Sequence, residues 1–200
     1  MKRTLITTMV LLLAAGAASA APKIMEKYSG IFSEGEEPRT RIQLAGVGLP
    51  YNFDFFAVRE NCDDATLVKF RGQMLPFSFG DLSAGAAVQH VEPPVGEPKN
   101  DAGIVLRYSA RSEGGTSLKA DTRYFPTSNT LDGTVLFGSA SISGDGIWSY
   151  DPESQTAMGR GFLGYNVTDN ISAGLEIKAQ GKISDMDVLY WGPRVSVSLP

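Results

Sequence analysis

Between Gly161 and Gly181 the chain reads GFLGYNVTDNISAGLEIKAQG, and apolar and polar residues alternate along it. On the first limb Leu163, Tyr165 and Val167 share one side, with Gly164 and Asn166 on the other. On the second limb Ile171, Ala173, Leu175, Ile177 and Ala179 oppose Ser172, Gly174, Glu176, Lys178 and Gln180. Successive side chains of a strand point to opposite faces, so a period of two held for about ten residues specifies a strand with one apolar and one polar surface. Thr168-Asp169-Asn170 supplies the turn, because Asp and Asn bond their own backbone and tolerate left-handed geometry. The second limb is long enough to cross a bilayer, which takes about 9–11 tilted residues. The hairpin therefore commits the chain to a sheet with two unlike faces, and the functional question is which solvent meets each face.

Residues 1–20 read as a cleaved signal peptide that precedes the fold. Lys2 and Arg3 form a positive start, Leu5 to Ala15 an apolar core, and Ala18-Ser19-Ala20 a small-residue cleavage site. Its loss takes Lys+Arg from 18 to 16 against 22 acidic residues, leaving a net charge of −6. That balance argues against a nucleic-acid partner, which requires a basic surface. No remaining stretch approaches the roughly 18 apolar residues of a membrane helix, so a membrane-spanning mature chain would have to be a β-barrel. Cys62 stands alone, which excludes an intrachain disulfide as a staple.

Residues 21–39 are polar, acid-rich and without sustained period, and read as an extended N-terminal segment. From Thr40 the chain is a series of short alternating runs divided by turn residues, through residue 200, with no linker that would split it. Gly103–Arg111 sets Ile104, Leu106, Tyr108 and Ala110 against Arg107, Ser109 and Arg111; Ser117–Phe125 sets Leu118, Ala120, Thr122 and Tyr124 against Lys119, Asp121 and Arg123. Val195, Val197 and Leu199 oppose Arg194, Ser196 and Ser198 at the close. Turn signals at such spacing, with no amphipathic helix, predict an all-β fold: an antiparallel up-and-down barrel of about 8–10 strands over residues 40–200, with a sandwich as the other arrangement.

Periodicity is compatible with two opposite solutions. A soluble periplasmic or secreted barrel puts its apolar face inside, around an apolar small ligand; an outer-membrane barrel puts it against lipid and its polar face inside. Three features favour the second. The polar face mixes small residues with charges of both signs, which suits a narrow interior where charges must pair, and only 20% of the chain is charged against a typical ~25%. Tyr124-Phe125, Trp148, Tyr150, Tyr165 and Tyr190-Trp191 fall near run ends, as in the aromatic girdles at membrane–water boundaries. Export without disulfides suits a sheet that closes on itself and so has no edges. On this reading the interior polar candidates are Arg107, Arg111, Lys119, Asp121, Arg123, Glu176 and Lys178, and Leu163, Tyr165, Leu175 and Ile177 face lipid.

The export signal, the meander, GYNVTDNISAGLEIK and the closing YWGPRVSVSL resemble small bacterial outer-membrane β-barrels of the opacity-protein and porin-like type. The likeness runs through about residues 103–199 and more loosely through 40–91. It implies outer-membrane localisation, lipid and the barrel-assembly machinery as partners, no cofactor, and a structural, adhesive or narrow-pore role.

Signals for catalysis are sparse. The one histidine, His90, lies in Gln89-His90-Val91-Glu92. Outer-membrane lipid A deacylases place a serine two residues after their histidine; here that position is Glu92, and no G-x-S-x-G supports another triad. The chain therefore reads as a non-enzyme, with His90 a strand-end residue. Glu60-Asn61-Cys62-Asp63-Asp64 is an acidic loop whose oxygens could hold calcium but lacks EF-hand spacing, and soft-ligand metal sites do not fit one Cys and one His. No metal is expected.

Overall fold

The computed structural model describes residues 23–31, 39–49, 53–62, 65–93 and 96–199. Twelve antiparallel strands follow one another: β1 (Lys23–Ile31), β2 (Arg39–Leu49), β3 (Phe53–Cys62), β4 (Ala65–Phe79), β5 (Leu82–Glu92), β6 (Lys99–Arg111), β7 (Ser117–Phe125), β8 (Thr130–Gly138), β9 (Ile142–Asp151), β10 (Thr156–Asn166), β11 (Ile171–Lys182) and β12 (Asp185–Leu199). Each pairs with its neighbours in sequence, and β1 pairs with β12, so the sheet closes into an up-and-down barrel. Closure settles the choice against a sandwich.

The class is as expected, but the strand count exceeds the anticipated 8–10. The residues set apart as a segment ahead of the barrel include β1, which bonds β2 from Lys23 to Ile31 and β12 from Glu26 to Ile31. Its composition carries no clear period; its strand conformation follows from two partners that supply ladder hydrogen bonds. The Gly/Ser-rich run Leu131–Ser143 is two strands, because the chain reverses at Ser139–Ser141, where the Ser139 amide donates to the Ile142 carbonyl and the Ile142 amide donates to Ser139 Oγ. The signal-peptide reading of residues 1–20 lies outside the described residues.

The hairpin at 161–181 is β10–β11, in register with Leu163 opposite Leu175, Tyr165 opposite Ala173 and Phe162 opposite Glu176. Thr168 organises its turn: its hydroxyl accepts from the amides of Asn170 (3.3 Å) and Ile171 (3.0 Å), and the Val167 amide reaches the Ile171 carbonyl at 2.9 Å. Outward positions are apolar and exposed, among them Ile104, Leu106, Leu163, Leu175 and Val195. Two outward glycines serve as seats for rings. Trp148 covers Gly133, where a Cβ would come within 2.2 Å of the indole, and Phe55 covers Gly46 equally closely. Cross-strand covers of this kind smooth the outer wall and fix register.

Inward positions are of two kinds. Leu75, Ala87, Val105 and Phe125, from β4 to β7, form a small apolar cluster inside the wall. Phe125 is thus not the girdle residue that its strand-end position suggested: Tyr124 points out, so its neighbour must point in. The rest of the described interior is mostly charged or polar, with Val58 and Phe162 also buried in it.

Candidate functional site

Every odd or even set along a strand shares one side of the wall, so the inward charges come from many strands and meet only because the sheet closes. Two networks result. The first joins Arg41 (β2), Glu60 (β3), Asp145 (β9), Arg160 (β10), Glu176 (β11) and Arg194 (β12). Arg41 donates through both terminal nitrogens to the Glu176 carboxylate (2.9 and 3.0 Å) and through Nε to Glu60 at 2.9 Å. Arg194 donates to Glu176 at 2.8 Å, forks onto Asp145 at 3.0 and 2.9 Å, and sits 4.2 Å above the Phe162 ring. Arg160 reaches Glu60 at 3.0 Å. Four strands separate β10 from β3 along the wall; at about 4.8 Å per strand that arc is roughly 24 Å, so the bond is a strut through the lumen. Arg41, Glu176 and Arg194 are closed to solvent.

The second network runs along the barrel between its two ends. Near the β3–β4 and β7–β8 connections, Asp132 (β8) receives Arg71 Nη2 and, at 3.4 and 3.2 Å, Lys69 (β4) and Arg123 (β7). Gln73 (β4) carries the chain onward, accepting from Arg123 at 3.2 Å and donating to Asp121 at 2.8 Å. Arg107 (β6) bonds Asp121 (2.6 and 3.0 Å) and Asp54 (β3, 2.6 Å), and Lys119 (β7) closes the series on Asp54 at 3.0 Å near the β6–β7 turn. Such buried charges persist because each is paired; a lone one would cost several kcal/mol.

Among the residues expected inside, Arg107, Lys119, Asp121 and Arg123 meet in the second network and Glu176 is the hub of the first. Lys178 lies two residues along β11 from Glu176, on the same face, half-buried. Arg111 departs from the expectation: as the last residue of β6 it is exposed at the rim and joins neither network. Arg41, Asp54, Glu60, Lys69, Arg71, Gln73, Asp132, Asp145 and Arg160 were missed, and Arg194, on the polar face of the closing run, was not among the interior candidates. The signal existed in part, since Lys69, Arg71 and Gln73 alternate with Val68, Phe70, Gly72 and Met74. Leu163, Tyr165, Leu175 and Ile177 point outward and are 64%, 61%, 59% and 49% exposed.

The acidic stretch at 60–64 does not behave as a cation loop. Glu60 belongs to β3 and turns inward onto Arg41 and Arg160, and Asn61 bonds Thr40 and Thr66; Asp63 and Asp64 lie outside the described residues. His90 rests between Asn100 (2.7 Å) and Glu92 (3.2 Å). Among the described residues the side chains buried inside the wall are mostly charged or polar, unlike the apolar chamber that the soluble alternative calls for.

A closed antiparallel barrel with an apolar exterior and a paired, charged interior is the architecture of bacterial outer-membrane barrels. Solved structures share the fold. A KdgM porin superposes with a TM-score of 0.54 at 13% identity over 88% of this chain and 98% of the porin. A KdgM porin in complex with disordered oligogalacturonate gives 0.50 at 12% over 87% and 96%. The Acinetobacter baumannii outer membrane protein Omp33 gives 0.53 at 7% over 89% and 97%. At these identities the likeness establishes the fold. No protein-family model and no curated protein matches the chain.

Proposed function

We propose that this chain is an outer-membrane β-barrel acting as a narrow, non-catalytic channel, inserted by the barrel-assembly machinery. The observation that carries the reading is the inversion of an ordinary core: Arg41, Glu176 and Arg194 are fully buried while Leu163, Leu175 and Trp191 are about 60% exposed. In water that arrangement would leave a large apolar belt exposed, which a monomeric soluble protein avoids. In a bilayer the same belt, with Leu163, Tyr165, Leu175 and Ile177 in it, is the solvated surface. Twelve strands lie between the eight-stranded barrels filled by side chains and the 16-stranded porins that leave an aqueous channel. Struts such as Arg160–Glu60 narrow what twelve strands would otherwise enclose. The porin-fold neighbours support a channel over an adhesive role.

The test is fractionation followed by reconstitution. The protein should appear in outer membranes, migrate differently on gels before and after boiling, and give small unitary conductances in planar bilayers. Recovery from the periplasm without detergent overturns the membrane reading, and silent bilayers containing folded barrel overturn the channel reading.

A further inference from the structure

The two interior networks differ in charge balance and in reach. In the first, Arg41, Arg160 and Arg194 face Glu60, Asp145 and Glu176, three charges of each sign, with Lys178 opposite Arg160 on the same inner face. In the second, Lys69, Arg71, Arg107, Lys119 and Arg123 face Asp54, Asp121 and Asp132. Two positive charges are left over, and Asp132 alone is shared among Lys69, Arg71 and Arg123. Accessibility follows the same bias. The lysine side chains are 22% and 24% exposed, whereas Asp54, Asp121 and Asp132 keep 9% or less.

Position along the strands completes the picture. Lys69 is four residues into β4 from the β3–β4 connection, and Lys119 two residues into β7 from the β6–β7 turn. Those connections lie at opposite ends of the barrel, so one reachable cation stands at each mouth. Between them Arg71, 4% exposed, keeps an Nε–H without a hydrogen-bond partner among the described residues. At the rim of the β5–β6 and β9–β10 connections Asp101 accepts from the Ser128 amide of the β7–β8 connection, and Asp151 from the Glu153 amide and Ser154 hydroxyl of its own turn.

We infer that the lumen selects small anions, that they travel along the second network, and that Lys69 and Lys119 are the residues which set that selectivity. An anion entering at either mouth meets a lysine whose counter-charge is shared with arginines, then a row of guanidiniums whose fields are incompletely cancelled in a low-dielectric interior. A cation meets the same surplus as repulsion. The first network, whose Arg41, Glu176 and Arg194 are closed to solvent, acts as a strut. This rests on the channel reading above.

The test is the reversal potential of the full-length barrel in planar bilayers under a potassium chloride gradient. Wild type should pass chloride in preference to potassium. Lys69→Glu with Lys119→Glu should move the permeability ratio several-fold and across unity. The neutral pair Lys69→Gln with Lys119→Gln should abolish most of the preference, and covers the case in which the acidic pair does not fold; folding is scored by gel migration without boiling. Arg59→Gln, on an exposed residue three positions from the end of β3 that faces outward, should leave the ratio unchanged. Channels that prefer potassium, or a chloride preference unmoved in the glutamine pair, overturn the inference and leave the channel reading standing. Folded barrels that conduct nothing overturn both.

Discussion

Glu176 offers the sharpest test of the interior. It accepts three charged hydrogen bonds of 2.8–3.0 Å from Arg41 and Arg194, and all three side chains are closed to solvent. Removing one partner of a buried pair typically costs about 3–5 kcal/mol, because the remaining charge is stranded. Here each guanidinium retains a second carboxylate, Glu60 for Arg41 and Asp145 for Arg194. Glu176→Gln, which keeps the shape and one acceptor, should therefore fall at the lower end, about 3 kcal/mol. Glu176→Ala, which also leaves N–H groups unmet and opens a void, should lie nearer 5 kcal/mol. The assay is urea unfolding of the barrel in lipid vesicles, followed by tryptophan fluorescence. The double variant Arg41→Gln with Glu176→Gln should lose less than the sum of the single ones, since each removes a charge the other strands. A Glu176→Gln barrel within about 0.5 kcal/mol of wild type would show that residue 176 is hydrated or unpaired, and the packed charged interior would fail with it.

Three further outcomes follow from named contacts. Leu175→Arg, one residue from Glu176 but on the outer face, should destabilise the inserted barrel by about 2–4 kcal/mol if it sits at mid-bilayer, and block assembly in cells; normal insertion in a vesicle-folding assay would contradict the outward-to-lipid reading. Phe125→Ala, in the cluster with Leu75, Ala87 and Val105, should cost about 3–5 kcal/mol in the same urea series, whereas a rim aromatic would lose far less. Gly133→Val should displace the Trp148 ring, because its Cβ would lie 2.2 Å from the indole; the tryptophan emission of the folded barrel should shift, and an unchanged spectrum would place Trp148 elsewhere.

Local sequence determined which face of each clear strand is apolar, since period two is a property of neighbouring residues alone. That made Leu163, Tyr165, Leu175 and Ile177 legible as one surface and Arg107, Lys119, Asp121, Arg123 and Glu176 as the other. The place of the turn at 168–170 was legible for the same reason, but its device was not: the Thr168 side chain, rather than that of Asp169 or Asn170, bonds the backbone, and neither of the two has a positive φ. The first half was harder because Gly46 and Gly72 interrupt the apolar alternation, and Phe55 packs across to Gly46 from the next strand to complete the surface. Arg111 was misplaced because alternation gives a side but not a height on the barrel.

Tertiary structure alone decided the rest. Lys23–Ile31 is a strand because β12 and β2 flank it, and no feature of its own residues announces a partner more than 160 positions away. The pairing of Arg41 with Glu176, 135 residues apart, and of Arg160 with Glu60, 100 apart, exists only once the sheet has closed. The hairpin at 161–181 fixed a polar face, but closure made that face an interior, where charges pair between strands and across the lumen rather than along the chain.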